Sequence, residues 1–278
     1  MPKRIQRYYN DNPLKEWKRL KNNPVTELEF ETTLKYINKY IRPNSQVLDI
    51  GAGPGRYSFE LAGKGHKITL LDYSSGLVQQ ARRNLNRQPK KVKENILKID
   101  EASVMDLSKY QDSSFDVVLC LGGVLSHVLK KGDRNKAIIE LRRVCKRDGF
   151  LFISIIGRLA VLKQEIYYIG QNKKIIEEIK APLFIKIAKT GDYDGSSGFT
   201  ACHFFLADEF KQLLTDNGIS VTNLIGLEGL NSFLWNESKF LKKDEKAWSN
   251  IMKVHELYES FPAAVDSSEH ILAVCKNN

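Results

Sequence analysis

The sequence predicts an α/β fold, a mostly parallel sheet with helices on both faces. Three observations carry that expectation. Short β-rich runs alternate with helical patterns between residues 46 and 156. The fourth of these runs, FDVVLCL, is apolar almost throughout, as a strand covered on both sides must be. The first run ends in three closely spaced glycines that lead straight into a helix.

The elements follow in order. Leu14, Trp17 and Leu20 recur at helical spacing, and so do Leu28, Phe30, Leu34, Ile37 and Ile41 until Pro43 stops the run. Strands are expected at 46–50, 67–72, 96–99, 115–121 and 150–156. Between them the pattern predicts helices at 57–62, at 76–85 with Ser74 or Ser75 as N-cap, and at 134–145, ending near Gly149. Residues 157–200 break the rhythm. They are too long for a connector and read as one or two helices followed by the glycine-rich GDYDGSSGFT, the form of a lid or binding element. A helix at 207–217, a strand at 219–225, a helical region through Tyr258 and a strand at 270–275 complete the pattern, with the last two strands closing the sheet as an antiparallel edge pair. The expected organisation is one domain over 1–278: an N-terminal helical segment (1–45), a cofactor-binding core (46–156), a cap (157–200) and the C-terminal part of the sheet (201–278).

Composition narrows the class. At 278 residues, 42% hydrophobic and 27% charged, the chain can bury a core without a metal or disulfide staple. The opening MPKRIQRYYNDNP has positive charge but no apolar stretch behind it, unlike a secretory signal, and no apolar run approaches bilayer length. A cytoplasmic location is expected. Cys120, Cys145, Cys202 and Cys275 are far apart and form no metal-binding spacing, so no metal is expected. Cys202 beside His203 has the look of a nucleophile, but a small buried hydrophobe is the plainer reading. The net charge of +10 invites a nucleic-acid partner. Its densest basic stretch (Arg82, Arg83, Arg87, Lys90, Lys91, Lys93) lacks interleaved aromatic residues and fits a solvated helix face equally well.

Chemistry begins at VLDIGAGPGRY, where Asp49 ends a strand and Gly51, Gly53 and Gly55 precede a helix. Glycines there let the backbone turn with positive φ and approach a ligand closely, and the helix start offers free N–H groups. A dinucleotide site would fit this much, but its fingerprint requires glycine where Arg56 stands. Asp72 ends the next strand, where an acidic side chain would grip ribose hydroxyls.

VLDIGAGPGRY resembles the first motif of class I S-adenosylmethionine-dependent methyltransferases, and LLDYS their acidic turn. EASVMDLS resembles their adenine loop, SSFDVVLCLGGVLSHV their fourth strand and LRRVCKRDGFLFISIIG the helix and fifth strand beyond it. The likeness runs from about Tyr36 to Gly157 and rests on order and spacing. TACHFFLADEFKQLLTDNGI, LIGLEGL and SSEHILAV resemble a bacterial subgroup with an LGPLYHL-like fourth strand. Here Gly123 and Leu125 replace its Pro and Tyr, and His127 remains.

The resemblance implies a Rossmann-like sheet and S-adenosylmethionine as cofactor. Asp49, Gly51, Ala52, Gly53, Gly55 and Arg56 would surround the methionine moiety, and Asp72 with Tyr73 the ribose. Ser103, Val104 and Met105 would cover the adenine, although many relatives carry an acid at the first of these positions. Leu121 and Gly122 would lie beneath the sulfonium. Methyl transfer is an in-line displacement that needs alignment and sometimes proton removal. His127, His203 and His270 are the candidate proton-handling residues, each weighed against a structural role. Tyr8, Tyr9 and Trp17 would fold over the site or pack as an ordinary aromatic helix face. The expected acceptor is a small molecule. A tRNA or rRNA substrate and a non-catalytic S-adenosylmethionine-binding protein stay open, with a nicotinamide oxidoreductase more distant.

Overall fold

The computed structural model describes residues 3–168, 180–196 and 199–278. Seven strands form one sheet: β1 (Gln46–Ile50), β2 (Lys67–Asp72), β3 (Ile96–Glu101), β4 (Phe115–Cys120), β5 (Cys145–Ile156), and two late strands at Ser220–Gly226 and His270–Lys276. In space the order is β3-β2-β1-β4-β5, then 270–276, then 220–226 at the edge. The first five strands are parallel, and the 270–276 strand is antiparallel to both its neighbours. The chain order reverses between β1 and β4, which opens a crevice beyond their C-terminal ends.

Alternate residues of each strand feed two cores. Leu48, Ile50, Val118 and Ile153 pack on one face, with Ile138 and Leu141 of the helix Lys131–Val144. Val47, Leu119, Phe152 and Leu272 pack on the other, with Phe30, Leu34 and Ile37 of the helix Pro24–Tyr40. That helix starts cleanly because Pro24 occupies its first turn and the Asn23 side chain accepts the Val25 N–H. Ser74 caps the helix Ser75–Asn86 by accepting the Leu77 N–H, which decides between the two serines.

Three departures from the sequence pattern have physical causes. A helix at Lys3–Asp11 precedes the expected one, now Pro13–Arg19; of its nine residues only Ile5 is buried, so it leaves almost no apolar signal. Cys145 pairs with Phe115 and begins β5, where helix was expected to continue. Gly149 then lies so close to Asp116 O and Lys146 O that a Cβ there would sit under 3 Å from both. Finally, a 3-10 turn at Val124–His127 follows β4 and is too short to show periodicity.

After β5 the described residues form two helices, Arg158–Tyr168 and Pro182–Thr190, and a two-stranded ribbon pairing Asp192–Tyr193 with Cys202–His203. Residues 169–179 and 197–198 of that segment lie outside the described residues.

The N-terminal segment straps across the crevice. Asn10 Oδ1 accepts from Ser74 Oγ and from Gly76 N, at 2.6 and 3.0 Å, and Gln6 Nε2 donates to Tyr73 O. Gly76 touches the Asn10 backbone so closely that an added Cβ would lie 2.8 Å from its carbonyl oxygen. Gly76→Ala should therefore cost about 1–3 kcal/mol by overpacking. Denaturant melts and amide exchange should show the loss concentrated in residues 3–19, with the sheet protected as before. Uniform loss across the sheet would contradict this docking.

Candidate cofactor and acceptor site

The turn after β1 is shaped by left-handed glycines. Gly51, Gly53 and Gly55 have φ of 73°, 57° and 92°. Gly51 N and Ala52 N both donate to Leu71 O, and Gly53 N donates to Asp72 Oδ2. Gly55 has a packing reason: a Cβ there would crowd Phe59 and Leu70, and the residue faces no cavity.

A cavity of about 920 Å³ opens over this turn and continues under the cap. Its cofactor half is walled by Asp49, Gly51–Gly53, Asp72, Tyr73, Val104 and Leu121–Gly122. Asp72 Oδ1 also accepts the Ser74 N–H. Burial lifts the Asp72 carboxyl to about 6, with the Ser74 and Gly53 N–H groups pulling the other way. Burial likewise lifts Asp49 to about 7, although Ser58 Oγ donates to it at 2.6 Å. Two buried carboxyls held this high are unfavourable as anions until a cation or hydroxyl ligand joins them. The cavity's acceptor half is largely apolar, with Val124, Ile156, Leu183, Phe184, Ile187 and Phe204 in its wall.

Not every expected residue reaches the cavity. Ser103 and Met105 do not line it; the Ser103 hydroxyl accepts the Met105 N–H, and Met105 packs against the core. Ala102 and Val104 line the cavity there instead. Trp17 also stays outside. The Arg56 guanidinium stacks on its ring at 3.6 Å and donates to its carbonyl, so the pair clamps the strap to the helix Arg56–Gly63. His203 is placed elsewhere, buried between Asp192 and Glu209 with its two ring nitrogens 2.6 and 2.7 Å from their carboxylates. The neighbouring Cys202 thiol is buried and burial pushes its pKa up, so no nucleophile forms there.

Tyr8, Tyr9, His127 and His270 do line the cavity. His127 Nδ1 lies 3.1 Å from Ala201 O, which can only accept, so Nδ1 carries the hydrogen. Nε2 is then a bare acceptor and receives the Tyr9 hydroxyl at 2.8 Å. Burial holds the imidazole down at about 4 and pushes the Tyr9 phenol well above its usual range. At neutral pH both are uncharged.

His270 belongs to a different set. Its Nδ1 donates to Glu228 Oε1 at 2.7 Å, and Arg19 makes two hydrogen bonds to Glu29 beside it. Burial works against the imidazolium, but Glu29 and Glu228 outweigh it and raise His270 to about 9. Glu29, Glu228 and His270 are close enough to share a cation, yet Arg19 already fills Glu29, and Glu228 accepts from Ser268 Oγ and His270 N as well. The cavity wall further includes Glu16, Arg19, Phe233, Trp235 and Glu269, none of which carries a motif. Only folding gathers them.

With this geometry in view, comparison with known proteins is informative. Residues 48–153 match the family model described as a methyltransferase domain. Among curated relatives, a glycine/sarcosine N-methyltransferase of Aphanothece halophytica is 27% identical over 61% of this chain and 64% of its own length. A ubiquinone biosynthesis O-methyltransferase of Rickettsia akari is 27% identical over 74% of this chain and 70% of its own. A crystal structure of an S-adenosylmethionine-dependent methyltransferase from Methanosarcina mazei superposes with a TM-score of 0.58 at 22% identity, covering 87% of this chain and 96% of that one. The chain thus spans somewhat less than two thirds of the first of these curated relatives. Residues 48–153 thus correspond to a methyltransferase domain, and the sheet around them is Rossmann-like, the fold of that solved structure. Among the described residues, no helix is long and apolar enough to cross a membrane.

The buried histidine generates a prediction. His127 has a folded pKa of about 4, below the ordinary value of about 6.5. The unfolded chain therefore takes up this proton first as pH falls. The histidine's contribution to stability is complete above about pH 6.5 and is lost progressively towards pH 4, on the order of 3 kcal/mol in total. In urea titrations between pH 7 and 4, His127→Gln should flatten this part of the stability curve. An unchanged slope would show that His127 is not the group responsible.

Proposed function

We propose that this protein transfers the methyl group of S-adenosylmethionine to a small-molecule acceptor held beneath the cap. One observation carries the reading: the same cavity joins the glycine turn and Asp72 to an apolar chamber containing Tyr9 and His127. That chamber suits an acceptor with an apolar body. The basic residues Arg82, Arg83, Arg87, Lys90, Lys91 and Lys93 are all exposed and none lines the cavity, which favours a small molecule over RNA. Four buried free thiols suit the cytoplasm.

In this reading the backbone from Gly51 to Gly53 receives the methionine moiety and Asp72 the ribose hydroxyls. Asp72 oxygens retain lone pairs beyond those used by Gly53 and Ser74. The cofactor supplies an electrophilic methyl on a sulfonium. Tyr9 would take the acceptor's proton as it passed its own to His127 Nε2, leaving the positive charge on the imidazole. The apolar wall excludes water, and the helices Arg158–Tyr168 and Pro182–Thr190 serve as the lid.

Two experiments test this. S-adenosylmethionine or S-adenosylhomocysteine should raise the melting temperature while NAD does not, and Asp72→Ala should weaken binding by about 1.5–3 kcal/mol in calorimetry. Equal affinity of wild type and variant would remove Asp72 from the cofactor site. Once labelled cofactor has identified the acceptor, His127→Ala should lower kcat roughly 10²–10⁴-fold with cofactor affinity nearly intact, and Tyr9→Phe should do the same. A loss of stability with turnover per folded molecule unchanged would make the histidine structural. Tight cofactor binding with no label on any metabolite or RNA fraction would instead favour a binding protein.

A further inference from the structure

Resting on the acceptor chamber just described, we propose that the molecule bound there carries an ammonium group, held by Glu269 against the rings of Phe233 and Trp235. The charge distribution around the chamber points to this. Four carboxylates, Glu16, Glu29, Glu228 and Glu269, cluster with two partly buried cations, Arg19 and His270. Arg19 is committed to Glu29 by two hydrogen bonds, and His270 to Glu228 by a contact of 2.7 Å. Glu16 has only a 3.6 Å contact to the Arg19 Nε. Among the described residues Glu269 has no cation within ion-pairing distance, and its carboxylate accepts one hydrogen bond, from the Phe233 N–H. An acid in a mostly apolar wall without a positive partner is unfavourable until a ligand brings one. Burial, with Glu228 as second cause, holds Glu269 up at about 7.

The neighbouring backbone strengthens the assignment. Phe233 adopts φ of 65°, a conformation costly for a bulky residue, and its N–H on Glu269 holds it there. Its ring lies 6.0 Å from that of Trp235, and both rings form part of the cavity wall. Aromatic faces beside a carboxylate provide both the quadrupole and the counter-charge that an alkylammonium needs. Glu269 directly precedes the strand His270–Lys276, and Gly157 N donates to its carbonyl, so the anchor is fixed to the sheet at the root of the cap.

The test uses the whole chain saturated with S-adenosylhomocysteine, which has no sulfonium charge to compete. Phenethylamine and phenethyl alcohol, matched in body and differing in charge, are titrated by calorimetry. The amine should bind at least about tenfold more tightly, the scale of a charge-assisted contact. Glu269→Gln, which keeps an oxygen for the Phe233 N–H, should erase the difference without changing S-adenosylhomocysteine affinity. Wild type gives an independent measure should that variant fold poorly. The amine stays protonated from pH 8 to 6, so its affinity should fall across that range as Glu269 takes up a proton, while the alcohol's stays level. Of the other groups facing Glu269, His270 remains charged throughout, and Glu29 remains ionised beside Arg19 with Glu228 behind them. Equal binding of amine and alcohol, a preference that survives Glu269→Gln, or a level pH profile for the amine would each overturn the proposal. If S-adenosylhomocysteine itself fails to bind, the methyl-transfer reading falls. The amine and alcohol titrations, repeated without it, still decide whether Glu269 anchors a cation.

Discussion

Asp72 ends its strand with both carboxylate oxygens engaged by backbone, one accepting the Gly53 N–H and the other the Ser74 N–H. Through the first, the turn after β1 is bound to the end of β2. Through the second, the helix that begins at Ser75 is held in line with the same point. The left-handed glycines make this junction feasible, because a side chain at Gly51 would overlap Val124 and displace the turn carrying His127. Gly51 packs against Val124, so the glycine turn and the turn carrying His127 are in direct contact. The strap over the crevice depends on the same junction, since Asn10 bonds to Ser74 and Gly76 immediately beyond it.

What the sequence reveals and what it hides divide along physical lines. Strands such as Gln46–Ile50 and Phe115–Cys120 are legible because a strand buried on both faces is apolar along most of its length. The glycine turn and Asp72 are legible because one backbone conformation and one charge have to recur at a fixed spacing. The helix Lys3–Asp11 is hidden, since it buries little and is held by polar contacts from Gln6 and Asn10. His127 could be placed from its position after β4, but its Tyr9 partner lies 118 residues away and no local rule joins them. His203 and His270 looked equivalent to His127 in sequence; one is sequestered by Asp192 and Glu209, the other held charged by Glu228. Tertiary partners set a histidine's role, and single-chain periodicity does not encode them.

The chamber combines two properties that conflict unless a ligand reconciles them. Its walls are mainly apolar, which strengthens every electrostatic contact inside. Its floor nevertheless holds Asp49, Asp72, Glu16 and Glu269, each lifted by burial. Those groups resist ionisation most when the cavity lacks a cationic guest, so cation binding and carboxylate ionisation reinforce one another by linkage. The cofactor's sulfonium and ammonium supply positive charge on one side, and the proposed ammonium of the acceptor on the other.

That arrangement also bears on why His127 is kept neutral. A permanently charged imidazolium beside the cofactor would repel the sulfonium and weaken binding before any chemistry. Burial removes that repulsion by holding the ring at about 4. The cost is a weak base, and the reaction itself compensates. In the proposed reaction, a cofactor that loses its positive charge on giving up the methyl group would make charge on His127 least unfavourable when it had to appear. Tyr9 then matters for geometry more than for acidity. Its phenol stays protonated, and its hydroxyl 2.8 Å from Nε2 lets one proton arrive as another leaves without a phenolate between. The strap that carries Tyr9 would thereby link the proposed proton transfer to closure, because Tyr9 reaches His127 from the N-terminal helices that lie across the crevice.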